Sequence, residues 1–191
     1  MSIIGSKAPA FAGAAAFKGE AINVKLEDYK GKWLVLFFYP LDFTFVCPTE
    51  IVAFDDAVDQ FKAVDAEILG VSVDSVHTHM SWMRTPRSEA GIGELKYPLL
   101  SDLGGRVAAA YDVLLDDKAL RGVFIIDPDG TVLSGTINAL PLGRNVEEVF
   151  RTLRAAQFNR TTGNVCPANW HDGDEGMKAT LAGVKGVIGG R

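Results

Sequence analysis

The chain has 191 residues, 48% of them hydrophobic, which supports one domain with a substantial core and excludes a disordered protein. A net charge of −5 with Lys and Arg scattered along the chain excludes an electrostatic nucleic-acid binder. Two cysteines are too few for a disulfide-stapled secreted scaffold, and the longest apolar stretch falls far short of the about 20 residues of a membrane helix. The segment Met1-Ser2-Ile3-Ile4-Gly5-Ser6-Lys7 lacks the charged start and apolar core of a secretion signal, so a soluble cytoplasmic protein is expected, with no membrane partner. In a reducing compartment disulfides are mostly transient and catalytic, which makes both cysteines candidate functional residues.

An Ala- and Gly-rich N-terminal stretch precedes Ala21-Ile22-Asn23-Val24-Lys25-Leu26, which alternates like an edge strand. Tyr29-Lys30-Gly31-Lys32 reads as a turn into Trp33-Leu34-Val35-Leu36-Phe37-Phe38-Tyr39, a short apolar run suited to a buried central strand. Beyond Cys47, apolar residues at Ile51, Phe54, Val58 and Phe61 mark one helical face, and Pro48 suits the first helical position because it has no N–H to leave unpaired. A strand is expected over Ile68-Leu69-Gly70-Val71-Ser72-Val73, then a helix capped by Asp74 or Ser75, carrying His77, His79 and Trp82 and stopping before Pro86.

Tyr97-Pro98-Leu99-Leu100 is a short strand candidate, followed by a helix around Arg106 to Tyr111. Asp127-Pro128-Asp129-Gly130 is a hairpin turn between Val123-Phe124-Ile125-Ile126 and Thr131-Val132-Leu133-Ser134. The last helix starts at Asn145, with Glu148 as capping-box partner and Val146, Val149, Phe150 and Leu153 as its buried face. From about Asn159 onward the chain is glycine- and polar-rich. The alternation describes a central mixed α/β sheet flanked by helices, over residues 1–158, with a C-terminal arm over 159–191 that carries Cys166.

Cys47 follows a buried strand and opens an amphipathic helix, where free N–H groups and the positive dipole end favour a thiolate over a thiol. Taken singly, its neighbours have ordinary explanations. A Thr near a helix start is most often a cap, a Pro after a strand a stop signal, and an Arg at a strand start is solvated. His77 and His79 are two apart and share no helix face, and no Cys or carboxylate cluster completes a metal site, so no metal is expected. Gly91-x-Gly93 belongs to no phosphate-loop pattern.

The pattern Pro40-x-x-x-Thr44-x-x-Cys47 closely resembles the active-site motif of the peroxiredoxins. Leu120-Arg121-Gly122-Val123-Phe124-Ile125-Ile126-Asp127-Pro128 resembles that family's Arg-bearing strand. Ala155-Ala156-Gln157-Phe158 and Val165-Cys166-Pro167-Ala168-Asn169-Trp170 resemble its resolving-cysteine region. Together these are similar to the typical two-cysteine class and, within it, the bacterial alkyl hydroperoxide reductase C group. The resemblance implies a thioredoxin-like fold and a thiol peroxidase that acts on hydrogen peroxide and alkyl hydroperoxides without a cofactor.

It also implies roles. Cys47 would be the nucleophile, and Thr44 would hydrogen-bond thiolate and peroxide. Arg121 would hold the thiolate and polarise the peroxide. Pro40 would shield the sulfur, Glu50 would orient the arginine, and Arg144 would support them. The Cys47 sulfenic acid would condense with a second thiol, and the residues alone leave open whether that thiol lies in the same chain. The resemblance implies Cys166 of the partner subunit in an antiparallel homodimer, with the strand Thr131 to Asn138 as pairing surface. Five dimers would assemble into a decamer through the segment around His77 and Thr78. A dithiol protein, a flavoprotein disulfide reductase or a thioredoxin-like protein, would be the reductant.

Ala90-Gly91-Ile92-Gly93 matches the Gly-Gly-Leu-Gly loop of oxidation-sensitive relatives only in part, and Gly186-Val187-Ile188-Gly189-Gly190-Arg191 lacks their Tyr-Phe, which predicts relative resistance to overoxidation. Two other classes compete. A dithiol oxidoreductase needs Cys-x-x-Cys, but position 50 is Glu. A holdase chaperone or peroxide-signalling protein would show one equivalent of oxidation without turnover.

Overall fold

The computed structural model describes residues 2–189; Met1, Gly190 and Arg191, on which the readings of the N-terminus and the tail partly rest, lie outside the described residues. The chain divides into two compact units, residues 2–146 and 147–189. The first unit carries β1 (Ala12–Phe17), β2 (Glu20–Lys25), β3 (Trp33–Phe38), α1 (Cys47–Lys62), β4 (Ala66–Ser72), α2 (Val76–Arg84), β5 (Leu99–Ser101) and α3 (Arg106–Ala110). A small hairpin follows, β6 (Leu114–Leu115) and β7 (Lys118–Ala119), then β8 (Arg121–Ile126) and β9 (Val132–Asn138). The helix α4 (Val146–Thr162) leads into the second unit, which also holds α5 (Leu181–Ile188).

Seven strands form one mixed sheet in the order β2-β1-β5-β4-β3-β8-β9. The central trio β5, β4 and β3 is parallel, and the hairpins β1–β2 and β8–β9 add antiparallel strands outside it. β3 is buried along its whole length, as its unbroken apolar sequence demands. Alternate side chains point to opposite faces, so Leu34, Leu36 and Phe38 join Leu69, Val71, Phe124 and Ile126 in one core layer. Phe37 points the other way and stacks on Phe54 of α1, ring centroids 4.5 Å apart. Gly70 of β4 makes room for that stack, since a Cβ there would come within 2.8 Å of the Phe37 ring. Ile51, Phe54, Val58 and Phe61 are all buried, as their spacing predicts.

The turn before β9 closes through the Asp127 carboxylate, which accepts from Asp129 N at 3.0 Å and Thr131 N at 2.7 Å. Ser75 caps α2 by accepting from Thr78 N, and the helix ends at Arg84, ahead of Pro86.

Four local readings change. The Ala- and Gly-rich start is a strand, β1, whose small residues Ala15 and Ala16 are fully buried between two partners. Cys47, not Pro48, takes the first position of α1, and Pro48 the second, where a missing N–H costs equally little. The boundary expected at 158/159 falls inside α4, and the compact division comes at its start. The helix makes contacts with the arm: Phe158 packs on Trp170 at 5.2 Å, Arg151 Nη1 donates to the Trp170 carbonyl, and Arg154 pairs with Asp172. The arm itself holds a helix, α5, capped by Thr180. Among the described residues no helix is long and apolar enough to cross a membrane.

Candidate active site

The end of β3 and the loop 39–46 deliver Cys47 to the first position of α1, fully buried and with a free thiol. β8 begins with Arg121, which brings a guanidinium across from the neighbouring strand. Its Nη1 lies 3.4 Å from Cys47 Sγ and 2.5 Å from Glu50 Oε2, and its Nε donates to the Leu140 carbonyl at 2.6 Å. Glu50, one turn into α1, accepts with its other oxygen from Arg144 N at 2.9 Å and Arg144 Nε at 2.7 Å. Arg144 Nη1 in turn donates to the carbonyls of Phe38 and Gly122, at 2.7 and 2.6 Å, tying β3 to β8 behind the sulfur.

All three charged side chains of this cluster are at most 5% exposed. Two guanidinium cations against one carboxylate leave a surplus positive charge in a buried place, and an anion beside Arg121 cancels it. Burial lowers the Arg144 guanidinium from its ordinary value, while its hydrogen bond to Glu50 opposes the shift. Arg144 Nη2 is buried with no hydrogen-bond partner among the described residues, but the guanidinium lies over the rings of Phe37 and Phe54, at 5.1 and 6.0 Å, whose faces attract a cation. Pro40 is buried beyond the end of β3. Thr44 is half-buried and its hydroxyl donates to the Leu41 carbonyl at 2.8 Å, which leaves the oxygen's lone pairs to accept. Phe43, between them, has φ of +53° and packs on Trp82.

Cys47, Glu50, Arg121 and Arg144 thus form one hydrogen-bonded cluster, with Pro40 and Thr44 on the loop that leads into it. Cys166 lies in the second unit, half-buried, with Sγ 3.6 Å from the Ala155 carbonyl. Burial pushes the Cys166 thiol up, and the nearby Arg151 guanidinium pulls it part of the way back.

A buried network behind the loop escaped the sequence reading. His79 and Asp42 form a fully buried pair at 2.7 Å, Tyr39 Oη donates to the other Asp42 oxygen at 2.8 Å, and Asp42 N donates to Asp74. Burial raises the Asp42 carboxyl above its ordinary value, and the hydrogen bond from His79 works against that. The available signal was His79 and Trp82 three apart on one helix face, which put His79 toward the core. Among the described residues no group of three His, Cys, Asp or Glu side chains is placed to hold a metal ion.

The AhpC/TSA family matches residues 4–134, and the C-terminal domain of 1-Cys peroxiredoxin matches residues 155–190. The chain is 51% identical over 188 residues to the chloroplastic 2-Cys peroxiredoxin BAS1 of Hordeum vulgare, covering 97% of this chain and 90% of that one. It is 56% identical over 166 residues to the mitochondrial thioredoxin-dependent peroxide reductase of Drosophila melanogaster, covering 86% and 71%. The reduced 2-Cys peroxiredoxin of Plasmodium vivax superposes with a TM-score of 0.96 at 42% identity, over 99% of this chain and 100% of that one. The chloroplastic and mitochondrial relatives overturn the expectation of a cytoplasmic protein. The reading of residues 1–7 addressed only export, and it carried no information to distinguish among compartments that all keep thiols reduced.

Proposed function

Because the chain belongs to the AhpC/TSA family, and within it to the 2-Cys peroxiredoxins, which are thiol peroxidases, we propose that Cys47 is its peroxide-reducing nucleophile and Cys166 its resolving thiol. The observation that carries this reading is the Arg121 guanidinium 3.4 Å from a fully buried sulfur, held there by Glu50. The Cys47 thiolate attacks one peroxide oxygen, the O–O bond breaks, and the departing oxygen leaves as water or alcohol after taking a proton. Sulfur is oxidised by two electrons to the sulfenic acid, and the peroxide is reduced by the same two. Arg121 stabilises charge on the sulfur and the reacting oxygens with fixed donors in a water-excluding site. Thr44 accepts the peroxide O–H with its free lone pairs, Pro40 keeps water from the sulfur, and Glu50 and Arg144 hold Arg121 in place.

In the second step the Cys166 thiol of a partner subunit displaces the sulfenic oxygen as water and forms the disulfide. Residues 159–191 act as the arm that presents it. The homodimer pairs through β9, whose outer edge ends the sheet and exposes Ile137, and five dimers assemble into a decamer. A thioredoxin-like dithiol protein regenerates the enzyme, in line with the thioredoxin-dependent relative in Drosophila melanogaster. The relatives support membership of the 2-Cys peroxiredoxins without singling out the bacterial alkyl hydroperoxide reductase C group within them.

The test is peroxide consumption with thioredoxin, thioredoxin reductase and NADPH. Sustained turnover that both Cys47→Ser and Cys166→Ser abolish supports the reading. One equivalent of oxidation followed by arrest in the wild type marks a sensor or holdase instead.

A further inference from the structure

The buried network of Tyr39, Asp42 and His79 is built into the loop that carries Thr44. Asp42 engages both carboxyl oxygens: Oδ1 accepts from Tyr39 Oη at 2.8 Å, and Oδ2 lies 2.7 Å from His79 Nδ1. His79 Nε2 faces the Leu100 carbonyl at 3.3 Å, so both ring nitrogens are engaged and the ring's orientation is fixed. The Asp42 backbone is held as well. Its N–H donates to Asp74 Oδ2 at 2.9 Å, and that same oxygen accepts from Ser72 Oγ at 2.7 Å. These bonds tie the loop to the end of β4, to β5 and to α2. Tyr39, Asp42 and His79 are all buried, so each bond lost would leave its partner unsatisfied, and the network has one stable arrangement.

The two residues after Asp42 show what this anchoring serves. Phe43 has φ of +53°, a left-handed conformation that a bulky residue keeps only where its surroundings over-determine it. Its ring touches Trp82 but is more than half exposed, so the ring supplies little of that restraint. Thr44 comes next, and its hydroxyl returns to the Leu41 carbonyl, closing a turn with Asp42 and Phe43 at its centre. Asp42 is the fixed point of that turn. Resting on the peroxidase reading above, we infer that Tyr39 and His79, acting through Asp42, are positioning residues that hold the strained turn 41–44 and so aim the Thr44 oxygen at the peroxide. They act on alignment, not on the sulfur. A displacement of about 1 Å at an aligning group costs on the order of a hundredfold in rate. A carbon electrophile such as iodoacetamide presents no O–H to Thr44, so its attack by the Cys47 thiolate does not need that alignment.

Tyr39→Phe keeps the ring and deletes one hydroxyl, and Asp42→Asn keeps the size but weakens both side-chain bonds. Two rate constants are compared in each variant, Cys47 oxidation by hydrogen peroxide and Cys47 alkylation by iodoacetamide. Tyr39→Phe slows the peroxide reaction by about three- to tenfold, the span of one neutral hydrogen bond. Asp42→Asn slows it by about ten- to a hundredfold. Alkylation stays within about twofold of wild type in both. His79→Asn, which sets an amide nitrogen near the place of Nδ1, retains most of the peroxide rate that His79→Leu loses. In a Thr44→Val background Tyr39→Phe and Asp42→Asn slow the peroxide reaction no further, because the group they aim is gone.

Equal losses toward peroxide and iodoacetamide mark a merely structural contribution and overturn the inference, as does a full additional loss on Thr44→Val. Should Asp42→Asn fail to fold, Tyr39→Phe decides by the same two rates. A wild type that reacts with peroxide no faster than a free thiol overturns the peroxidase reading itself. A fast wild type, a slow Thr44→Val and an unaltered Tyr39→Phe overturn this inference alone.

Discussion

The two cysteines sit in opposite kinds of surroundings. Cys47 has no exposure, a guanidinium at hydrogen-bond distance and a buried carboxylate behind that guanidinium, all supplied by α1, β8 and the loop before α4. Cys166 is half-buried on a short irregular segment, its sulfur near one backbone carbonyl, and the ion pairs around it are solvent-exposed. The contrast follows from what each thiol must do in the proposed cycle. Bond breaking at a peroxide rewards fixed charges in a dry place, because water would screen them and would cost reorganisation. Reaching a partner sulfur rewards a segment held by interactions that are cheap to break.

The largest effect expected from breaking the fixed side of this comparison is at Arg121. Arg121→Gln keeps a polar side chain but loses the charge and the fork, and it lowers the rate constant for Cys47 oxidation by about 10²- to 10³-fold, as removal of a preorganised donor does. Stopped-flow oxidation with hydrogen peroxide measures it. A loss below tenfold would show that the guanidinium beside the sulfur is not what makes it reactive.

The network behind the loop gives the next effect, this time on stability. His79→Leu removes a hydrogen-bond partner of the Asp42 carboxylate in a fully buried site and costs about 3 kcal/mol. The sign of the pH dependence follows from Asp42. Burial already raises its folded pKa above the unfolded value, and removing His79 raises it further. Stability is then lost as pH rises through that folded pKa, so the deficit in urea unfolding is larger at alkaline than at mildly acidic pH. An equal deficit at both would contradict a raised Asp42 carboxyl.

On the other side of the comparison, Cys166 sets a pH dependence of its own. Its thiol is raised by burial, so below that pKa the thiolate fraction, and with it the disulfide-forming step, rises by roughly tenfold per pH unit. The rise continues past the ordinary thiol range near 8.5. A step that levels off below neutrality would contradict the raised value. The smallest effect belongs to the exposed pair Arg154–Asp172, where Arg154→Gln costs under about 1 kcal/mol. A larger loss would mean that the second unit is held more rigidly than its surface pairs imply.

Local pattern and motif made most of this legible before any coordinates. The unbroken apolar run at Trp33–Phe38 and the i, i+3, i+7, i+10 spacing after Ile51 are direct consequences of burial on both faces of a strand and on one face of a helix. The cluster of Cys47, Glu50, Arg121 and Arg144 was accessible only through resemblance. Arg121 lies 74 positions from Cys47 and Arg144 94 positions from Glu50, and no local rule links an arginine at a strand start to a cysteine on a helix several elements earlier. β1 was missed because alanine and glycine carry little strand propensity, and its burial comes from neighbours on both sides. The buried anchor of α1 at Asp55 did leave a trace: Asp55 falls beside Phe54 and one turn after Ile51, a carboxylate among buried positions. Its partners, Lys96 N and Arg87, are brought to it by a tight fold around Gly91 that has no periodic signature.

The central claim is that the buried, charge-bracketed cysteine reacts with peroxide and the half-exposed one resolves it. Stopped-flow Trp fluorescence of the reduced protein mixed with hydrogen peroxide, run on wild type, Cys47→Ser and Cys166→Ser with non-reducing gels of the same samples, tests it most directly. The account predicts a fast phase that Cys47→Ser abolishes and Cys166→Ser retains, and a reducible dimer that either substitution removes. A wild-type reaction no faster than that of a free thiol would contradict it.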